Sequence, residues 1–226
     1  MSTIADALAR VRARIERAAT SAARDPETVR LVAVSKTKPA SAVREAYEAG
    51  QRDFGENYAQ ELVEKAEALA DLPDLRWHFI GHLQSNKARF VAPLARLVHT
   101  VDSPSLAREL GKRAAKAERS ALAVLVEVNV GGEAQKHGAR PDELAALLDA
   151  VDAEPHLALA GLMTMPPHDL DAARRAFEEL AALRERSGGA ARLPELSMGM
   201  SDDLEVAVAC GATLVRVGSA IFGARA

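Results

Sequence analysis

A single cysteine, Cys210, is present in 226 residues, which rules out an intramolecular disulfide and a zinc cluster built of thiolates. It stands beside Gly211 at the end of the apolar run Val206-Ala207-Val208-Ala209, a setting that favours a buried, inert thiol over a nucleophile. Long apolar runs are missing too: none approaches the ~18–20 residues that a membrane span needs. Charge of one sign is scarce, with 29 Lys and Arg against 32 Asp and Glu and a formal net charge of -3. The basic footprint of a nucleic-acid-binding domain is therefore absent, and the positive cluster at Lys112, Arg113 and Lys116 reads as a solvated helix face. No Gly-rich linker divides the chain, and Ser187-Gly188-Gly189 reads as a loop after a helix. Arg10, Arg12 and Arg14 give the N-terminus the basic character of a transit peptide, but Asp6 and Glu16 oppose that reading. Thr3-Ile4-Ala5-Asp6 instead reads as a capping box. The expected setting is cytoplasmic, with no membrane or nucleic-acid partner.

What the chain does have is core: 48% of its residues are hydrophobic, enough for one sizeable domain. Short β-branched runs alternate with longer helical stretches rich in Ala, Leu, Arg and Glu. Strands are predicted over residues 31–35, 52–54, 76–80, 97–101, 123–129, 157–163, 195–198 and 213–217. Helices are predicted over 40–49, 58–68, 86–92, 104–117, 141–151, 169–186 and 202–209, after a leading helix. Ser103-Pro104, Ser201-Asp202 and Pro141 supply helix-start signals. Such alternation favours a parallel sheet with right-handed crossovers, and eight units in a chain this short favour closure. The fold expected is α/β, a single (β/α)8 TIM-type barrel with an extra N-terminal helix. It forms one domain over 1–226, the leading helix in 1–20 and the barrel in 30–226. An open doubly wound sheet is the alternative.

The unusual polar residues fall at strand ends. Lys36 ends the first strand, Glu56 and Asn57 follow the second, and His78, His82 and Gln84 surround the third. Asp102 follows the fourth, Asn129 ends the fifth and Thr164 follows the sixth, while Ser197 and Ser201 flank the seventh and Arg216, Gly218 and Ser219 end the eighth. In a parallel barrel these positions meet at the carboxyl-terminal mouth, where active sites are built. The apolar strand Leu31-Val32-Ala33-Val34-Ser35 aims the Lys36 amine into that mouth, where desolvation leaves more neutral amine to attack an aldehyde. Lys38, in the loop before Pro39, suits a solvent-facing role better. Ser197-Met198-Gly199-Met200-Ser201 and Val217-Gly218-Ser219 occupy the loops that form a phosphate cradle in this architecture, glycine admitting the anion and serine adding hydroxyls. Arg216 lies within the last strand and needs a partner, structural or ligand, to be buried. His78 and His82 flank the Gly81 turn without carboxylate or cysteine company, so no metal is expected.

At these residues the sequence resembles the pyridoxal 5′-phosphate (PLP) homeostasis family, which shares its barrel with the N-terminal domain of alanine racemase. The resemblance is carried by Ala33-Val34-Ser35-Lys36-Thr37-Lys38-Pro39, Phe54-Gly55-Glu56-Asn57-Tyr58, the run Trp77-His78-Phe79-Ile80-Gly81-His82-Leu83-Gln84-Ser85-Asn86-Lys87, and the two glycine-serine loops. It implies that Lys36 holds the cofactor as a Schiff base. Ser201, Gly218 and Ser219 would bind the phosphate, with backbone near Met198 and Gly199 assisting. Arg216 would face the pyridine nitrogen and Asn57 would lie near the ring hydroxyl. Ser219 stands where the family often has threonine, which keeps the hydroxyl, and Lys136 matches a family lysine near the mouth.

An arginine beside the pyridine nitrogen disfavours a second positive charge there, which makes the ring a poor electron sink. Only Tyr47 and Tyr58 are present, and the second racemase domain with its catalytic tyrosine has no room. The resemblance thus implies a carrier or buffer in vitamin B6 homeostasis, with no catalytic residue assigned. Its partners would be PLP, apo PLP-dependent enzymes and free amino acids, and a monomer is expected. A weak amino-acid racemase and a Schiff-base aldolase on the same barrel are the alternatives.

Overall fold

The structure, a computed structural model, describes residues 3–133 and 137–223. The strands are β1 (Arg30–Val34), β2 (Asp53–Glu56), β3 (Arg76–Phe79), β4 (Ala95–Val101), β5 (Leu122–Glu127), β6 (Leu157–Met163), β7 (Glu195–Ser197) and β8 (Leu214–Val217). All pair in parallel with their sequence neighbours, and β8 returns to β1 with Val32 opposite Arg216, closing an eight-stranded barrel. The helices are α1 (Ile4–Ser21), α2 (Ala40–Glu48), α3 (Ala59–Ala68), α4 (Ala88–Val91), α5 (Pro104–Lys116), α6 (Leu144–Asp152), α7 (Leu170–Arg186), α8 (Gly189–Arg192), α9 (Leu204–Ala209) and α10 (Ser219–Phe222).

The twofold alternation of strand side chains sorts the core into two parts. Leu31, Ala33, Phe54, Trp77, Phe79, Val98, Leu196, Val215 and Val217 point outward into the large core beneath the helices. Val32, Leu97, Leu125, Met163 and Leu214 form a separate cluster, the inward-facing set. On this parity Lys36 follows Val32 and Val34 inward, and Arg216 follows Leu214. Gly161 has no room for a side chain: at φ 152 its added Cβ would lie 1.9 Å from the Glu195 carbonyl, so glycine is needed for β6 to approach β7.

The leading helix forms as expected, with Thr3 accepting from the Asp6 amide and Asp6 accepting from the Thr3 amide. Its face of Ala7, Leu8, Val11, Ile15, Ala18 and Ala19 is buried. Several boundaries differ from the sequence expectation; β2 runs on through Glu56, and α6 starts at Leu144 rather than at Pro141. The segment expected as one helix from residue 86 opens with a 3₁₀ turn at Ser85–Lys87 before α4. The loop expected at 187–189 leads, through Gly188 and Gly189 at positive φ, into the single turn of α8. The helix expected from Ser201-Asp202 starts instead at Leu204, where Asp203 accepts from the Met200 amide. That shift releases the Ser201 hydroxyl from capping.

Candidate functional site

Lys36 lies two residues past the end of β1, half-buried, on the turn that leads to α2. That turn is strained and braced. Thr37, a β-branched residue, sits at φ 64, a left-handed conformation that costs on the order of 1–3 kcal/mol and needs support. Support comes from α3. Glu61 accepts from the Thr37 amide at 2.8 Å, and Lys65 donates to the Ser35 carbonyl at 2.7 Å, to Glu56 at 2.7 Å and to Glu61 at 3.0 Å. The Ser35 hydroxyl donates to the same Glu56 oxygen at 2.6 Å. Burial raises the Glu56 pKa, with Lys65 and Ser35 opposing it. The backbone on both sides of Lys36 is thus tied to one buried ionic cluster outside the barrel.

Asn57 follows β2 and is pressed by Gly81 from the turn after β3: a Cβ at Gly81 would lie 2.2 Å from the Asn57 carbonyl. Thr100 fixes that turn by donating to the Gly81 carbonyl at 2.6 Å. The Asn57 side-chain oxygen is buried and has no hydrogen-bond partner among the described residues. On the far side, Ser201 and Ser219 face each other with their hydroxyl oxygens 3.2 Å apart. Ser219 opens the one-turn α10, so its own amide and that of Ala220 have no carbonyl a turn behind them. Gly218 lies against β1, where an added Cβ would come within 3.1 Å of the Val34 carbonyl.

Arg216 is buried inside the barrel. Its guanidinium donates to Ser197 Oγ at 2.6 Å and to the Thr164 carbonyl at 3.0 Å, and contacts Met165 Sδ at 3.2 Å. Burial lowers its pKa to about 10, with Glu127 and Asp203 working against the shift, so it remains a cation at neutral pH. Lys36, Asn57, Ser201, Arg216, Gly218 and Ser219 all line one cavity of about 320 Å³, within the range of small-molecule sites.

Met198 and Gly199 are not brought to that cavity. Strand parity sends the Met198 side chain outward into the main core, and its amide is engaged by the Leu214 carbonyl at 3.1 Å. The Gly199 carbonyl accepts from the Arg216 amide at 2.9 Å. Both residues support the wall from behind. Lys38, expected to face solvent, lines the cavity, as do Met165, His168 and Asp202. Lys136 lies outside the described residues. Glu127 was not anticipated: it follows Leu125 inward, and burial, reinforced by Asp102, raises its pKa to about 7 against the pull of Arg216.

His82, Asp102 and His137 also gather at the mouth, with their ligand atoms within 4.8 Å of one another. The two imidazoles are stacked, centroids 3.7 Å apart and planes 10° from parallel. A metal ion lies in the plane of each imidazole that binds it. Two planes stacked in this way do not meet at the ~2.0–2.1 Å bond length, so the arrangement is a ring stack rather than a chelate.

Comparison with known proteins places the fold and the family. The model for the alanine racemase N-terminal domain matches residues 7–226. The pyridoxal phosphate homeostasis protein of Pseudomonas aeruginosa is 53% identical over 228 residues, covering 100% of this chain and 97% of that protein. PipY of Synechococcus elongatus, solved with PLP bound, is 41% identical with a TM-score of 0.79, covering 93% of this chain and 100% of that one. Alanine racemase from Corynebacterium glutamicum is 19% identical with a TM-score of 0.67. It covers 97% of this chain but 61% of the racemase, a likeness of fold alone. The chain belongs to the pyridoxal phosphate homeostasis protein family, built on the alanine racemase N-terminal barrel.

Proposed function

We propose that this protein binds PLP through a Schiff-base link to Lys36 and acts as a carrier or buffer in vitamin B6 homeostasis rather than as an enzyme. The observation that carries the reading is the meeting, in one cavity, of the Lys36 amine, the Ser201 and Ser219 hydroxyls beside Gly218, and the buried Arg216 cation. An amine, an anion cradle and a fixed cation match the aldehyde, the phosphate and the pyridine nitrogen of one cofactor. Asn57 fits as well, since it brings a side-chain amide to the lining of the same cavity. A relative with PLP bound and curated relatives named for PLP homeostasis support the assignment.

Bound PLP supplies an aldehyde that amines capture and a ring that can withdraw electrons from what it captures. Arg216 limits the second property, because a guanidinium beside the ring nitrogen disfavours its protonation. Neither Tyr47 nor Tyr58 lines the cavity; Tyr47 stacks under Arg52, 3.9 Å away. With no tyrosine at hand, the racemase alternative lacks the residue that its relatives use. A carrier of this kind exchanges its cofactor with free amino acids and with apo-enzymes.

The test compares PLP with pyridoxal. Charge-assisted hydrogen bonds are worth roughly 1.5–3 kcal/mol each, so losing two should weaken binding by about a hundredfold or more. Equal affinities would remove the cradle from Ser201, Gly218 and Ser219. Added amino acids should show no α-deuterium exchange above background; catalytic exchange would favour the racemase.

A further inference from the structure

Polar contacts continue through the barrel beyond Arg216. Ser197 Oγ, which accepts from Arg216, lies 2.8 Å from His99 Nδ1. His99 Nε2 lies 2.9 Å from His78 Nδ1, and His78 Nε2 lies 2.9 Å from Asp53 Oδ1. Asp53, at the start of β2, is held at the floor by Arg76 through bonds of 3.0 and 2.7 Å. Ser197, His99 and His78 come from β7, β4 and β3, and each is at most 1% exposed.

The two ends of this chain admit one polarity only. A carboxylate accepts and a guanidinium donates. Asp53 therefore accepts a hydrogen bond from His78 Nε2–H, which leaves the Nδ1 of a neutral His78 to accept from His99 Nε2–H. The bare His99 Nδ1 accepts from the Ser197 hydroxyl, whose lone pairs then face Arg216. Each donor meets one acceptor. Adding a proton would make one ring an imidazolium and set the serine oxygen between two donors. Burial opposes that charge on both rings, and Arg30, Arg76 and Arg216 oppose it further, against Asp53 alone.

We propose that Asp53, His78, His99 and Ser197 form a one-way hydrogen-bond chain whose direction is set at the barrel floor and which holds the Arg216 guanidinium aimed into the cavity. These four are positioning residues: they touch Arg216 or one another, not the cofactor. The proposal extends the reading of the site, and only its cofactor measurement rests on that reading.

The first measurement is made on the cofactor-free protein, by ¹⁵N NMR of the ring nitrogens between about pH 6 and 8.5, a span in which free histidine titrates. His78 and His99 should both be neutral and protonated on Nε2 throughout. A ring protonated on Nδ1, or an imidazolium at either position, overturns the direction. In Asp53→Asn the amide can donate as well as accept, so an Nδ1-protonated form of His78 should appear; its absence counts against control from the floor. The second measurement follows the Arg216 guanidinium protons. They should exchange slowly in the unmodified protein and in Ser197→Thr, and fast in Ser197→Ala. Unchanged exchange in the alanine variant overturns the positioning role. With PLP loaded, Ser197→Ala should bind about tenfold more weakly, the lower end for a charged hydrogen bond because two Arg216 contacts remain, and Ser197→Thr should restore binding. Because the NMR measurements need no cofactor, they separate failure of this chain from failure of the PLP assignment.

Discussion

Glu127 binds its proton more tightly in the folded protein than in the unfolded chain, with a pKa of about 7 against an ordinary 4.5. The contribution of this raised group to stability is full below about pH 4.5 and is lost as pH climbs through 7, a change on the order of 3 kcal/mol. Buried His78 and His99 act in the opposite sense, since their lowered pKa values favour the folded state as pH rises. The clean readout is therefore a difference. Glu127→Gln should gain stability over the unmodified protein between pH 5 and 8, measured by urea denaturation, and parallel pH profiles would contradict the assignment. Lys36 was legible in the sequence because it follows an apolar strand and is aimed into the mouth. Glu127 and His99 were not, because an inward polar residue becomes conspicuous only once closure has made the inside of the barrel a place without water.

At the scale of elements, the leading helix does more than cover the barrel. Arg14 on α1 donates to the Ser201 carbonyl at 2.8 Å and pairs with Glu205 on α9 through bonds of 2.7 and 2.9 Å. It thereby ties the serine loop to a helix outside the strand–helix repeat. Arg14→Ala should weaken PLP binding severalfold while lowering stability by no more than about 1 kcal/mol, the usual worth of a solvent-accessible ion pair. Titration with PLP alongside a urea melt checks both; an unchanged affinity would show that the loop holds itself. The strands and long helices were readable from periodicity, and the capping box at Thr3 and Asp6 from spacing. The late start of α9 was not. Ser201-Asp202 is a good cap by composition, but the cap is Asp203, whose carboxylate accepts from the preceding Met200 amide, a contact that sequence spacing does not reveal.

For the molecule as a whole, eight alternating units sufficed to predict closure, and closure is what brings residues from separate strands to one mouth. For Met198 the expectation concerned backbone, and its amide is already engaged by the Leu214 carbonyl, a pairing that only barrel closure makes visible. Among the described residues the large exposed apolar side chains are Tyr58, Leu94, Met165 and Leu170, and Met165 belongs to the cavity. The expected monomer is checked by light scattering: the mass of one chain supports it, and twice that mass would contradict it. The central claim is that one amine, on Lys36, holds the cofactor. Its most direct test is borohydride reduction of the PLP-loaded protein followed by peptide mass mapping. The account predicts one reduced adduct, on the peptide bearing Lys36, and none in Lys36→Ala. An adduct on Lys38 or Lys136 with Lys36 unmodified would contradict it.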